Sequence, residues 1–328
     1  MKCSLFKRII AMKTKTVICA LLGIVSLASC NKTISEVEYP EGELCSLVVN
    51  ASSEISVKTT GSKETITANE KLIKSLQVFV FRGDFLDAYQ KATTSSVSLT
   101  CTAGERRVYA VVNAPDLSSI SSKSALEAYL VDLSANTASS LVMTGVANAT
   151  LPGEKTVNIA VNRMVARVVV NKISREFESA SLGALKFVVK GIYLSDVAGN
   201  GSISGTAAPS KWYNASTKKD DCPALLSDKP NAEIANKGAY STAHYFYSMP
   251  NKVAQKTKLV VEAQLGDKTF YYPIALPALE SNKSYEIANI LVKRPGADTP
   301  DAPVTSDAIT FSVSVNDWVT VPIVEQII

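Results

Sequence analysis

The sequence predicts an all-β protein with minor helix, organised as two tandem β-sandwich domains. Short runs rich in β-branched and aromatic residues recur along the chain, and Gly, Asn, Asp and Pro residues separate them. Closely spaced short strands with turn residues between them are typical of sandwiches. The chain has 328 residues, of which 46% are hydrophobic. It is therefore long enough for two domains and too apolar for wholesale disorder.

Each predicted strand is an apolar run that ends at a turn residue. The run at 75–81 stops before Gly83, and the run at 259–274 forms a hairpin that turns at Gly266-Asp267. A Pro-rich loop is expected at 293–306, and the domain boundary is expected near Asn162. The other predicted strands are residues 45–51, 107–113, 157–161, 163–173, 186–194, 285–292 and 308–315, and a tail follows at 318–328.

One helix is predicted from a capping-box pattern. Ser124 is followed three residues later by Glu127, whose side chain can reach back to the Ser124 amide. Leucines at 126, 130 and 133 follow with helical spacing. The pattern predicts a helix that begins at Ser124 and extends to Leu133.

The first thirty residues are typical of a secretory signal. Lys13 and Lys15 precede an apolar stretch at 17–27, which is too short to span a bilayer core of about 30 Å comfortably. Small residues then precede Cys30, as in the lipobox of bacterial lipoproteins. We expect residues 1–29 to be removed and Cys30 to carry the lipid; an ordinary signal peptide with a chance cysteine is the alternative. Translation from Met1 or from Met12 fits this pattern equally.

The basic charge of the chain belongs to this signal. The net charge is +4, but five of the 34 basic residues and none of the 30 acidic residues lie before residue 30. The rest of the chain is close to neutral, which argues against a nucleic-acid partner.

Histidine and cysteine are too sparse for most site chemistry. His244 is the single histidine, so a His-rich metal cluster is excluded and no enzyme, metal or cofactor is predicted. We expect His244 to be a strand histidine, and Trp212 and Trp318 to be core or strand-edge anchors. The mature cysteines are Cys30, Cys45, Cys101 and Cys222, with no CxxC pair. Buried free thiols are expected, and a pairing of Cys101 with Cys222 stays open.

Several short motifs along the chain carry a family resemblance. They are residues 76–81, 101–106 leading into 108–115, 143–145, 163–167 and 282–287, and Asp317-Trp318 with a ten-residue tail. In this order, the sequence resembles the major fimbrial subunit family, the FimA-type fimbrillins of anaerobic Gram-negative bacteria.

The resemblance implies a structural protein made of two transthyretin-like Greek-key domains. It implies a signal peptide at 1–29, a leader with a removable strand at 30–63, and domains at 64–162 and 163–328. It also implies export as an outer-membrane lipoprotein, proteolytic removal of the leader, and polymerisation with other copies and related subunits by strand exchange. The resulting surface fimbriae would bind host or bacterial adhesion targets.

The two ends of the chain are suited to strand exchange. In the leader, Cys45, Leu47, Val49 and Ala51 share one face. In the donor strand at 319–328, Val319, Val321 and Ile323 share one face, with Ile327 and Ile328 beyond. Each end is a short apolar filler for a vacated groove.

The cleavage site departs from the family pattern. The best-known members are cut after an arginine, but none lies between Cys30 and Arg82. Lys58 and Lys63 occupy the corresponding loop, so a trypsin-like protease is expected.

Three alternatives stay open at this point. The tail can be an intramolecular last strand, the chain can be an uncleaved fimbrial anchor, or it can be a surface lipoprotein that binds glycans. The stalk, tip or anchor position and the adhesion target are not determined by the sequence.

Overall fold

The computed structural model describes residues 42–53, 68–215, 219–304 and 307–318, and these ranges lie in one compact unit. Strands make up 51% of the structure and helices 8%, so the predicted all-β class is confirmed. The domain boundary near Asn162 stays a prediction.

The strands are short and numerous. The first twelve are β1 (Leu44–Ser52), β2 (Leu76–Arg82), β3 (Phe85–Ala92), β4 (Ser96–Thr102), β5 (Gly104–Val112), β6 (Leu130–Asp132), β7 (Met143–Leu151), β8 (Thr156–Ala160), β9 (Asn162–Arg163), β10 (Ala166–Val170), β11 (Ile173–Arg175) and β12 (Phe187–Ser195). The others are β13 (Val197–Ala198), β14 (Asn200–Ser202), β15 (Trp212–Tyr213), β16 (Ser227–Asp228), β17 (Ala232–Glu233), β18 (Ala239–Tyr240), β19 (His244–Ser248), β20 (Lys258–Leu265), β21 (Lys268–Ala275), β22 (Lys283–Ile287), β23 (Ile290–Val292), β24 (Ile309–Thr310) and β25 (Val313–Asp317).

The helices are all short. They are α1 (Lys123–Ala128), α2 (Ala180–Ala184) and α3 (Pro223–Leu226), with 3-10 turns at Ala68–Lys71 and Leu133–Ala135. Within the described ranges, none of them has the length and apolarity needed to cross a membrane.

The N-terminal half stacks two sheets around one apolar core. One sheet has the order β4-β1-β8 and the other the order β3-β2-β5-β7-β9. Strand β2 is buried on both faces, which explains why its sequence shows no polar alternation. Leu76, Val78 and Val80 face the core between these sheets, whereas Phe79 and Phe81 face a second, larger core.

The C-terminal half surrounds that second core with three sheets. Their orders are β19-β10-β22-β25, β18-β11-β23-β24, and β16-β12-β20-β21 with β17 also on β12. Two further pairs, β13 with β15 and β14 with β6, complete the topology. The predicted hairpin is confirmed: β20 and β21 pair in register around Gly266, whose φ of +59° suits glycine.

Three predicted strands are each divided in the structure. The single strand predicted at 163–173 is wrong, because β9 pairs with β7, β10 lies between β19 and β22, and β11 lies between β18 and β23. The run at 285–292 divides in the same way, since β22 and β23 run parallel to β10 and β11 and change sheet with them. The run at 308–315 divides into β24 and β25.

The predicted helix at 124–133 is also wrong in extent. The N-cap is Ser122, whose Oγ accepts the Ala125 amide at 3.2 Å, and the helix ends at Ala128. The Ser124 amide donates to Asp84 Oδ1 at 2.7 Å, while Glu127 accepts from the Tyr109 hydroxyl. Leu130 lies in strand β6 rather than in the helix, and its side chain is exposed. The two groups that a capping box would pair, the Ser124 amide and the Glu127 carboxylate, are therefore each bonded to a residue outside the helix.

Candidate functional site

The first strand of the described chain occupies the middle of its sheet. Strand β1 runs antiparallel to β4, from Leu44 opposite Thr102 to Asn50 opposite Ser96, and parallel to β8, from Val48 opposite Thr156 to Ser52 opposite Ala160. Within the described residues, β4 and β8 pair with no other strand. Loss of β1 would therefore leave two unpaired edges.

One face of β1 is buried in the N-terminal core. Leu47 and Val49 are fully buried, Ala51 is nearly so, and Cys45 packs against the same core. Ser46, on the opposite face, is exposed. The four side chains that the sequence assigned to the leader face thus lie together, because odd-numbered residues of this strand point inward.

The space that β1 occupies is called the leader groove here. It is lined by β4 and β8 at the sides and by the facing sheet below; the apolar lining is Leu76, Val78, Val80, Val97, Leu99, Cys101, Val108, Ala110, Val112, Met143, Ala149, Leu151, Val157, Ile159 and Val161. Every one of these side chains is apolar or a thiol, so the groove holds β1 by apolar packing and by backbone hydrogen bonds.

The chain that leaves β1 returns close to where it left. Ser53 Oγ donates to the Lys71 carbonyl at 3.0 Å, so the two sides of the segment 54–67 are joined by a hydrogen bond. Lys58 and Lys63, the predicted cleavage sites, lie outside the described residues, as does the predicted lipid site Cys30. A cut within 54–67 would separate β1 from the rest of the fold covalently while leaving the strand in place.

A second group of side chains fixes the start of the C-terminal tail. Trp318 is 1% exposed, and the guanidinium groups of Arg163 and Arg167 lie 4.7 and 4.9 Å from its ring centroid. Arg163 Nη1 also donates to the Trp318 carbonyl at 3.3 Å. The predicted donor residues Val319, Val321, Ile323 and Ile327 follow immediately, outside the described residues.

The same group of side chains holds the chain that follows the segment 54–67. Glu70, in the 3-10 turn at Ala68–Lys71, accepts from Arg167 Nη1 at 3.0 Å and from the Tyr247 hydroxyl at 2.6 Å. Arg163 Nε donates to the Glu70 carbonyl at 3.1 Å. Burial raises the pKa of Tyr247, and the Glu70 charge raises it further, so the hydroxyl stays a donor. These five residues, Glu70, Arg163, Arg167, Tyr247 and Trp318, are called the anchor cluster below.

Of the anchor cluster, the sequence predicts only Trp318, as a core or strand-edge anchor. Arg163 and Arg167 enter only as parts of a family motif, and Glu70 carries no local signal. The available signal was two arginines within an otherwise apolar strand run at 163–170, because arginine is rarely buried without a partner.

The cysteines are arranged differently from the pairing left open above. The three described cysteines are free thiols. Cys101 lies in the N-terminal core directly opposite Cys45, whereas Cys222 packs against the other core. The structure thus brings Cys101 together with Cys45 and separates it from Cys222.

The histidine that the sequence analysis singled out lies in strand β19. His244 is a buried strand histidine whose Nδ1 lies 2.7 Å from Asp228 Oδ2. In the ranges that the structure describes, no three His, Cys, Asp or Glu side chains are grouped to hold a metal ion.

Comparison with known proteins gives one family-model match and several solved structures with the same fold. A family model described as major fimbrial subunit protein (FimA) matches residues 46–176. A candidate cell adhesion protein of Bacteroides eggerthii has the same fold, with a TM-score of 0.69 and 20% identity over 84% of this chain and 97% of that one. A candidate cell adhesion protein of Parabacteroides distasonis has a TM-score of 0.65 and 20% identity, covering 85% of this chain and 98% of that one. No curated protein matches.

A solved fimbrilin also shares the fold. The fimbrilin of Porphyromonas gingivalis gives a TM-score of 0.59 at 17% identity, covering 85% of this chain and 98% of that one. The fold and the leader groove define an all-β protein in which β1, the first described strand, completes one of the chain's own sheets. The match of residues 46–176 to the major fimbrial subunit family agrees with the resemblance seen in the sequence. The family match supports a fimbrial or cell-adhesion subunit.

Proposed function

We propose that this protein is a fimbrial subunit that polymerises by donor-strand exchange after losing its leader strand. The observation that carries the proposal is that β1 is central in its sheet yet is followed by the segment 54–67, whose sequence contains Lys58 and Lys63, the residue type after which a trypsin-like protease cuts. After cleavage, the tail of another copy fills the leader groove through Val319, Val321, Ile323 and Ile327.

Cleavage weakens the hold on β1 through the entropy of association. Each fully buried aliphatic side chain of β1 contributes about 1.5–3 kcal/mol, and each ladder hydrogen bond about 0.5–1.5 kcal/mol. While β1 is part of the chain, no association cost opposes this gain. Once β1 is a separate peptide, an association cost of roughly 4–15 kcal/mol opposes its binding, so the leader can leave. A donor strand from a folded subunit meets the same groove with the same kinds of contact.

The route to the surface follows from the N-terminus. We propose that Cys30 carries the lipid that holds the precursor at the outer membrane before the leader is removed. Cleavage then releases the subunit from that anchor into a cell-surface fimbrium, whose exposed faces bind host or bacterial targets. The near-neutral mature charge is consistent with a packed polymer rather than a nucleic-acid binder.

Trypsin treatment of the purified precursor tests this proposal. We expect a ladder of heat-sensitive oligomers on gels run without boiling. The control is the double variant Lys58→Gln, Lys63→Gln, which has no basic residue within 54–67 and should stay monomeric. A cleaved wild-type protein that remains monomeric after losing its leader contradicts donor-strand exchange.

A substitution in the tail tests the donor role directly. Val321→Asp places a carboxylate where an apolar groove would have to accept it, at a cost of several kcal/mol. We expect polymers to disappear while the thermal unfolding of the cleaved subunit is unchanged. Thr320→Asp, on the opposite face of the tail, is the matched control and should still polymerise. Persistent polymers with Val321→Asp would show that the tail is not the donor.

A further inference from the structure

The leader strand and the neighbouring strand of its groove carry cysteines that lie directly opposite each other. Cys45 of β1 and Cys101 of β4 are register partners in the antiparallel ladder. Cys45 Sγ lies 3.4 Å from the Cys101 carbonyl, and Cys101 Sγ lies 3.9 Å from the Cys45 carbonyl. Partners in such a ladder have Cα atoms about 4.5–5.5 Å apart, which falls within the range that a disulfide spans.

The two thiols differ in how accessible they are. Cys101 is 2% exposed, whereas Cys45 is only partly buried. Burial, with a further contribution from the neighbouring Cys45, raises the pKa of Cys101 to about 12. An oxidant would therefore reach the pair through Cys45, and Cys101 would complete the bond from inside the groove.

We propose that Cys45 and Cys101 form a disulfide that fastens the leader strand in its groove until it is reduced. The site is new, but its consequence for assembly rests on the proposed function above. In the closing step, Cys45 and Cys101 lose two protons and two electrons as the S–S bond forms. A disulfide reagent, either a small molecule or a thiol–disulfide exchange protein, accepts them and becomes two thiols.

This bond makes release of the leader depend on two events. A cut within 54–67 removes the only covalent link from β1 to the rest of the described fold. With the disulfide closed, the cut leaves β1 attached to β4, and the groove stays filled. Export outside the cytoplasm takes the pair to a compartment where disulfides can form, and cleavage and reduction must then both occur.

The position also distinguishes the two strands that compete for the groove. The leader carries a thiol opposite Cys101, but the tail at 319–328 contains no cysteine. Only the leader can be held in the groove by a disulfide. A donor strand in the same groove cannot be linked to Cys101.

Peptide mapping of the full-length precursor tests the site. One sample is incubated with oxidised glutathione and one with dithiothreitol, and both are alkylated, denatured and digested with trypsin. We expect the oxidised sample to contain peptide 33–58 linked to peptide 92–106, the two tryptic peptides that hold Cys45 and Cys101. Cys222→Ser should keep the link. Cys45→Ala should lose it, and this variant is chosen because Cys45 is less buried than Cys101. Absence of the linked peptides after oxidation of wild type and Cys222→Ser overturns the proposal.

Limited proteolysis of the native protein tests the consequence. After a trypsin cut within 54–67, the oxidised leader should stay with the body of the protein on a non-reducing column and leave when dithiothreitol is added. If the leader leaves the oxidised and reduced proteins equally fast, the proposal that the disulfide fastens the leader is overturned. Polymers should be absent from oxidised cleaved protein and appear on reduction. If no polymers appear even in reduced Cys45→Ala, the proposed function fails, while the linked peptides still decide the disulfide.

Discussion

The leader groove and the anchor cluster hold their strands by opposite kinds of interaction. In the groove, β1 contributes aliphatic side chains and backbone hydrogen bonds, all of which another apolar strand can reproduce. In the anchor cluster, Arg167 and Glu70 form a buried ion pair, and Trp318 is packed against two guanidinium groups. Those contacts require particular residues at particular positions.

The difference separates what can be exchanged from what stays in place. A generic apolar groove has weak sequence specificity, which suits replacement of one filler strand by another. The anchor cluster binds the chain at both places that the proposed exchange involves: Glu70 follows the segment 54–67, and Trp318 precedes the tail. Under the proposed function, the subunit would lose its first strand and donate its tail while the anchor cluster keeps the new N-terminus and the base of the tail fixed.

The largest expected effect is loss of the buried ion pair. Arg167→Met removes the cation that pairs with Glu70 and should destabilise the precursor by about 3–5 kcal/mol, because a buried charge loses its compensation. Denaturant unfolding measures this. Arg294→Gln is the matched control: it breaks an exposed pair with Asp307, which is worth roughly 0–1 kcal/mol. Equal losses for the two variants would remove the contrast between the anchor cluster and an ordinary surface.

The next effect separates the groove from the anchor cluster. Leu47→Ala should cost the intact precursor about 2–5 kcal/mol, because it opens a cavity at a fully buried position. The cleaved subunit, freed of its leader, should show no loss, whereas Arg167→Met should destabilise both forms. Ser46→Ala, on the exposed face of β1, should change neither. A Leu47→Ala loss that persists after the leader is removed would mean that β1 does not vacate the groove.

The sequence predicted the leader strand better than it predicted the anchor cluster. Runs such as 45–51 and 75–81 are apolar on the faces that become buried, so local pattern and tertiary structure agree. Strand β3 was missed because its half-buried pattern, with charged residues at Asp87 and Lys91, shows no clear alternation. The anchor cluster joins residues 70, 163, 167, 247 and 318, and such distant pairings leave no local signal. The helix prediction was wrong for the related reason that Asp84 and Tyr109 compete for its capping groups.

The smallest expected effect comes from an exposed charge cluster, which sets the baseline for the comparison. Burial acts to raise the pKa of Asp132, but hydrogen bonds from Lys211, Tyr213 and Ser134 outweigh it and hold that pKa well below its ordinary value of 3.8. A carboxylate with a depressed pKa contributes stability above pH 3.8, and that contribution is lost as the pH falls below it.

Asp132→Asn should therefore cost less than about 1 kcal/mol at neutral pH, because the ion pair with Lys211 is half-exposed and screened by solvent. The difference from wild type, measured by denaturant unfolding, should shrink as the pH is lowered through 4 and should also shrink in high salt. Arg167→Met should keep most of its loss in high salt, since a buried pair is screened much less. If salt erased both effects equally, the anchor cluster would be energetically a surface ion pair, and the distinction between an exchangeable groove and a fixed anchor would rest on geometry alone.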